Sequence, residues 1–118
     1  MKELKQVTGE LIILVEQMMK EYKGRRESGE KGDFYTEVKP FADKVKGEND
    51  AWKELSLIWI KEQRPKHLHF PQIINTFDNI EMLSVHCFFP ESSYNRFISH
   101  YQSVSYVLQT QLDELNEK

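Results

Sequence analysis

The sequence predicts an all-α fold, an antiparallel up-and-down four-helix bundle, and three observations support this prediction. Apolar residues recur at alternating steps of three and four residues over most of the chain, which is the spacing of one helical face. Short segments rich in glycine, proline and serine separate these stretches. No stretch alternates polar and apolar residues in the way that a half-buried strand does. Long helices joined by short connections bury their apolar stripes by packing side by side.

Composition sets the broad class. A chain of 118 residues has the usual size of one domain, here residues 1–118, and 39% hydrophobic residues suffice for a core. The net charge of −3 argues against a general nucleic-acid binder, which needs a basic face. The single Cys87 excludes an intramolecular disulfide and fits a reducing compartment. The apolar run at residues 11–15 is too short for a signal peptide or a membrane span. We therefore expect a cytoplasmic protein without a membrane partner.

The first helix is predicted at about residues 2–23. Residues 23–32 contain three glycines, a serine and alternating charges, so they are predicted to form a mobile surface connection. The inward stripe of this helix consists of Leu4, Thr8, Leu11, Val15, Met18 and Tyr22.

The long second helix is predicted at about residues 33–63, with Asp33 as its N-cap. The apolar spacing continues through Gly47, so we expect one helix here instead of two. Pro40 removes a backbone hydrogen bond and predicts a kink near residues 36–40. In the alternative interpretation the helix starts at Pro40 and residues 34–39 are extended. The predicted stripe is Phe34, Val38, Phe41, Val45, Glu48, Trp52, Leu55 and Trp59.

The third and fourth helices are predicted at about residues 71–88 and 93–115. Pro71 suits the first turn of a helix, and Pro65 ends the preceding one. Pro90 marks the turn after the third helix, and the pair of serines at 92 and 93 marks the cap of the fourth helix. Tyr94 begins the inward stripe predicted for the fourth helix.

Several short motifs resemble those of a known family. They are Phe34-Tyr35, residues 38–43 (Val-Lys-Pro-Phe-Ala-Asp), Arg64-Pro65-Lys66, Cys87-Phe88 before Pro90, Arg96-Phe97, and Gln102-Ser103-Val104 with Tyr106 and Leu108. With these residues the chain resembles the YppE-like family of small helical proteins from bacilli, a domain family of unknown function. The resemblance covers nearly the whole chain and implies a four-helix bundle. It implies no active-site residue.

Histidines and the cysteine are the candidate metal ligands. His67 and His69 precede the third helix while His86 lies near its end, roughly 25 Å away, so the histidines cannot form a single site. His86 is expected to point outward and Cys87 inward. No inward Glu-x-x-His pair of the di-iron type exists. We therefore predict no metal, no cofactor and no catalytic residue. The alternative is a small metal- or ligand-binding bundle, or an enzyme, that uses the His86, Cys87 and His100 end.

The distribution of charge suggests a contact surface. From Met82 to Leu112 the formal charges are Glu91 and Arg96, whereas the first 66 residues are densely charged. Interface cores are depleted in charge and enriched in aromatic residues. The predicted function is therefore non-enzymatic and acts through contacts with a second copy or another protein. In the alternative, this surface is merely solvated, or it is covered by side chains of residues 23–32. The candidate interface residues are Met82, His86, Phe89, Ser99, Ser103, Tyr106 and Thr110.

Overall fold

The computed structural model describes residues 3–117, and within that range it contains four α-helices and one π-helical turn, without any strand. The all-α, four-helix prediction is confirmed. The elements are α1 (Leu4–Ser28), the π turn (Phe34–Val38), α2 (Lys39–Gln63), α3 (Phe70–His86) and α4 (Tyr94–Asn116).

Contacts between side chains show the relative direction of two pairs of helices, and α1 with α4 is the first pair. The Thr8 hydroxyl lies 3.4 Å from Gln111 Oε1, and the Tyr22 ring stacks on Phe97 with 3.9 Å between centroids. As the residue number rises in α1, it falls in α4, so these two helices lie antiparallel. The predicted up-and-down order of the whole bundle is consistent with this pair.

Helices α2 and α3 pair in the same manner. The Asn49 amide lies 3.4 Å from Glu81 Oε2, and Lys53 Nζ lies 4.5 Å from the centre of the Phe77 ring. Partner numbers again fall as α2 advances, so α2 and α3 are antiparallel. Gly47 lies inside α2, and the prediction of a helix that continues through this glycine is confirmed.

The segment before Pro40 is helical but not α-helical. The Asp33 carboxylate accepts hydrogen bonds from the Thr36 backbone N–H at 2.9 Å and from the Thr36 hydroxyl at 2.8 Å, which confirms the predicted N-cap. The Val38 N–H then donates to the Asp33 carbonyl at 3.0 Å, an i to i+5 bond. The wider turn leaves Pro40 in the first turn of α2, where its missing N–H costs little. The extended alternative for residues 34–39 is therefore wrong, while the predicted kink near residues 36–40 stays a prediction.

Two positions of the predicted α2 stripe are corrected. Phe34 is 55% exposed, because the π turn rotates it away from the face that continues into α2. Glu48 is only half-buried, and its neighbour Asn49 is fully buried instead. The Asn49 amide donates to the Phe77 carbonyl at 3.0 Å, so a partner on α3 makes burial of this polar side chain acceptable.

The connection after α1 is shorter than predicted. Helix α1 continues to Ser28, five residues beyond the predicted end, and Gly29 caps it with a left-handed φ of 75°. The Gly32 N–H donates to the Phe88 carbonyl at 2.8 Å. A Cβ at Gly32 would lie 2.9 Å from the Phe88 side chain, so only glycine fits this close approach. Gly32 thus ties this connection to the segment that follows α3.

A buried amide connects three helices. Trp52 Nε1–H donates to Gln111 Oε1 at 2.7 Å, and Gln111 Nε2 donates to the Ser56 hydroxyl at 2.9 Å. The Thr8 hydroxyl approaches the same Gln111 oxygen. All four side chains are fully buried. Through Gln111, α4 is linked to both α2 and α1 inside the apolar core.

We expect Gln111→Leu to lower the free energy of unfolding by about 1–3 kcal/mol, because the indole N–H of Trp52 would stay buried without an acceptor. Urea unfolding followed by tryptophan fluorescence measures this loss. Gln102→Leu, at an exposed position of the same helix, is the matched control and should change stability little. Equal effects of the two substitutions would contradict the role given to the amide.

Candidate functional site

The candidate interface residues differ in exposure. Tyr106 is the most accessible of them, with 66% of its surface exposed. His86, Ser99 and Ser103 are exposed as well, whereas Met82, Phe89 and Thr110 are half-buried. The structure therefore leaves the α4 part of this surface open and places Met82 and Phe89 partly under their neighbours.

Two further residues on these helices are exposed, although the sequence did not predict them as part of the interface. Val85 on α3 is 37% exposed, and Tyr94 at the start of α4 is 47% exposed. Tyr94 was predicted to face inward, which is wrong. Its position in the first turn of α4 could have indicated the outcome, because end residues of a helix are often only partly covered.

A small cleft lies between the end of α3 and the start of α4. Its volume is about 80 Å³, and its walls include Met82 and His86 from α3 together with Arg96 and His100 from α4. His86 and His100, two of the three residues of the alternative site, thus meet at one cleft. Cys87 is not among the lining residues and is fully buried. Within residues 3–117, no three or more His, Cys, Asp or Glu side chains are grouped so that they could hold a metal ion.

The buried position of Cys87 also determines its chemistry. Burial raises the pKa of the Cys87 thiol to about 12, and the thiol donates a weak hydrogen bond to the Ser84 carbonyl at 3.6 Å. Since the thiolate is the nucleophilic form, this side chain behaves as a small apolar residue. The geometry does not favour covalent catalysis at Cys87.

Helix α1 holds the turn between α3 and α4. The Tyr22 hydroxyl donates to the Ser92 carbonyl at 2.6 Å, and Arg26 Nη1 donates to the Pro90 carbonyl at 3.0 Å. The Arg26 guanidinium also lies 5.3 Å from the centre of the Tyr94 ring. The Arg26 side chain therefore lies against Tyr94 at the start of α4 and covers it in part. Tyr106 lies twelve residues further along α4, about 18 Å away.

A second exposed apolar surface lies at the π turn. Phe34 is 55% exposed and Tyr35 is 79% exposed, and their rings meet edge to face at 5.1 Å. The apolar spacing did not reveal this surface, because it placed Phe34 in the core. Exposed aromatic pairs of this kind can mark contact sites, so this pair is a necessary control for any test of the α3–α4 surface.

None of the helices in residues 3–117 has the length and apolar composition that a transmembrane segment requires.

Comparison with known proteins gives a consistent result. Residues 8–115 match the model of a bacterial domain of unknown function, DUF1798. An uncharacterised Bacillus subtilis (strain 168) protein, YppE, is 30% identical over 116 residues, which cover 95% of this chain and 91% of YppE. The fold is similar to the crystal structure of a Listeria innocua protein of unknown function, with a TM-score of 0.90, 34% identity and coverage of 98% and 95% of the two chains. It is also similar to the crystal structure of YppE, with a TM-score of 0.91, 28% identity and coverage of 97% and 93%.

We expect Cys87 to resist thiol reagents such as Ellman's reagent at pH 8 in the folded protein, because that pH lies far below the raised thiol pKa and the side chain is buried. The same reagent should label it fully in denaturant. Absorbance at the wavelength of the released thiolate measures the reaction. Rapid labelling of the native protein would contradict the buried position.

We expect Tyr22→Phe to lower the free energy of unfolding by about 1 kcal/mol, since the Ser92 carbonyl would lose its shortest hydrogen bond. Tyr35→Phe removes a hydroxyl from an exposed ring and is the matched control. Chemical denaturation measures both variants. A loss for Tyr35→Phe as large as that for Tyr22→Phe would show that the Ser92 bond does not matter.

Proposed function

This chain belongs to the bacterial domain family DUF1798, whose function is unknown, and we propose that it is a non-enzymatic helical bundle that binds a protein through one surface of α3 and α4. The partner is either a second copy of the chain or a different protein. We call this surface the neutral face, and its members are Met82, Val85, His86, Phe89, Ser99, Ser103, Tyr106 and Thr110.

The observation that carries this proposal is the combination of missing charge and exposed aromatic surface. Charged residues make up 30% of the whole chain, but Glu91 and Arg96 are the formal charges between Met82 and Leu112. Towards the end of this stretch, Tyr106 exposes 66% of its surface. Surfaces that face only water usually carry mixed charges, whereas interfaces are depleted in charge and enriched in Tyr and Met.

The geometry supports a face that extends over two helices. Met82 and His86 from α3 line the same cleft as Arg96 and His100 from α4, so the two helices present adjoining side chains. Tyrosine contributes strongly to binding when a partner covers it, because it combines a large apolar ring with a hydroxyl that can form a hydrogen bond. Tyr106 is therefore the expected centre of the contact.

The alternative of a small-molecule site at the His86 and His100 cleft has less support. Ligand sites usually enclose about 300–1,000 Å³, and this cleft has a volume of about 80 Å³. Binding at the neutral face remains the function that the geometry favours. A cytoplasmic location stays a prediction that rests on the lone cysteine and the absence of a long apolar segment.

We expect the double variant Met82→Glu with Tyr106→Glu to abolish the interaction, because two buried carboxylates would lose their hydration without gaining partners. Light scattering over a range of concentrations tests for a second copy. Photo-crosslinking from position 106 in the native host tests for another protein. We expect one cross-linked species, and we expect it to disappear when the chain also carries Met82→Glu.

The matched control is Ile13→Glu with Tyr35→Glu, which adds the same charge at exposed apolar side chains of α1 and the π turn. This control should retain the interaction. If instead the control loses binding and the neutral-face variant retains it, the contact lies at the π turn and the proposal is wrong. The proposal is equally contradicted if the protein is a monomer and neither variant changes the set of proteins that it cross-links.

A further inference from the structure

A groove opens where α2 ends and α3 begins. Its volume is about 570 Å³, within the range of small-molecule sites. The base of the groove includes Leu68, which is fully buried, while Phe70 exposes 47% of its surface beside it. The apolar lining residues are Ile60, Pro65, Leu68 and Phe70, and the polar lining residues are Lys61, Arg64, Lys66 and His69.

The groove is cationic in an acidic protein. Lys61, Arg64 and Lys66 all line it, whereas Glu62, the one acid between residues 60 and 70, does not. The chain as a whole carries a net charge of −3. In the part of the chain that the structure describes, these three cationic side chains form no ion pair. Three unpaired cations around an apolar base are complementary to a ligand that is both anionic and apolar.

The backbone at Arg64 supports a specific role for this side chain. Arg64 caps α2 in the left-handed conformation, with φ 46° and ψ 59°, and its N–H donates to the Ile60 carbonyl at 3.0 Å. In residues 3–117 it is the only residue other than glycine with a positive φ. Glycine adopts this conformation without steric conflict and is the common residue at such a cap. Here an arginine occupies the position, and this residue lines the groove.

The N-terminus of α3 contributes little to this site. The His69 N–H donates to Gln72 Oε1 at 2.8 Å, and the Gln72 N–H donates to the His69 carbonyl at 3.1 Å. Pro71 has no N–H to offer. Since these backbone donors are occupied or missing, the affinity for an anion must come from the three cationic side chains.

We propose that this groove binds a small phosphate monoester with a planar aromatic body. The phosphate dianion contacts Arg64, which can donate two parallel hydrogen bonds, and the ammonium groups of Lys61 and Lys66. The aromatic body packs against Phe70 and the apolar base. A phosphate matches three cations better than a single carboxylate does, because it carries more charge and more acceptor oxygens. This site is separate from the neutral face.

The test is a titration of ¹⁵N-labelled protein followed by amide chemical shifts. The probes are AMP and 1-naphthyl phosphate, with adenosine, 1-naphthol and inorganic phosphate as the partial ligands. We expect at least one phosphate ester to shift amides at residues 60–72, and its partial ligands to bind about tenfold more weakly or less. The proposal is overturned if neither ester shifts these amides at millimolar concentration, or if adenosine or naphthol binds as well as its ester.

The variant for this test is Arg64→Gly with Lys66→Gln. Glycine suits the left-handed cap, so the fold should be retained, which circular dichroism checks. We expect the dissociation constant of the ester to rise about tenfold or more. Lys5→Gln with Lys23→Gln makes the same charge change at exposed positions of α1 and should stay within about twofold of the wild type. Lys61→Gln is an independent check with an intact cap. Unchanged binding in both groove variants would overturn the assignment.

Discussion

The carboxamide of Gln111 imposes the constraint on which the arrangement of the helices depends. Its oxygen and nitrogen are both buried, so each must find a partner inside the protein. Trp52 and Ser56 provide those partners one helical turn apart on α2, and Thr8 on α1 approaches the same oxygen. An apolar core alone would tolerate a helix that slides along its neighbour. A shared amide does not, because a shift of one turn would leave a buried donor or acceptor unpaired.

The rest of α4 follows from that fixed point. Because α1 and α4 are antiparallel, anchoring Gln111 beside Thr8 brings the Tyr101 hydroxyl to within 2.5 Å of the Glu16 carboxylate and the Phe97 ring onto Tyr22. These contacts determine which side of α4 is buried and which side is left for a partner. The buried side comprises Phe97, Val104, Val107, Leu108 and Gln111, and the exposed side includes Ser99, Ser103 and Tyr106.

Much of this could be predicted from the sequence, because it depends on local rules. The spacing of apolar residues gives four helices, and the side chains of Asp33 and Ser93 accept N–H groups three residues ahead, as expected of caps. The rest depends on other parts of the chain. Asn49 is buried only because α3 supplies the Phe77 carbonyl. The π turn changes the face on which Phe34 lies, and no apolar spacing reveals that change. Lys61 lies in the last turn of α2, and Arg64 and Lys66 follow this helix, so only the folded chain shows that these cations line one groove with Phe70 of α3.

Helix α3 connects the two surfaces to which binding is assigned, and its geometry keeps them apart. Phe70 at its first residue belongs to the groove, while His86 at its last residue belongs to the neutral face. Sixteen residues of helix place them about 24 Å from each other. Between them, Asn49 binds the Phe77 carbonyl and holds the middle of α3 against α2. Substitutions at sites this far apart act additively when they share no partner. The cationic groove and the neutral face can therefore be tested independently, and a failure at one leaves the argument for the other intact.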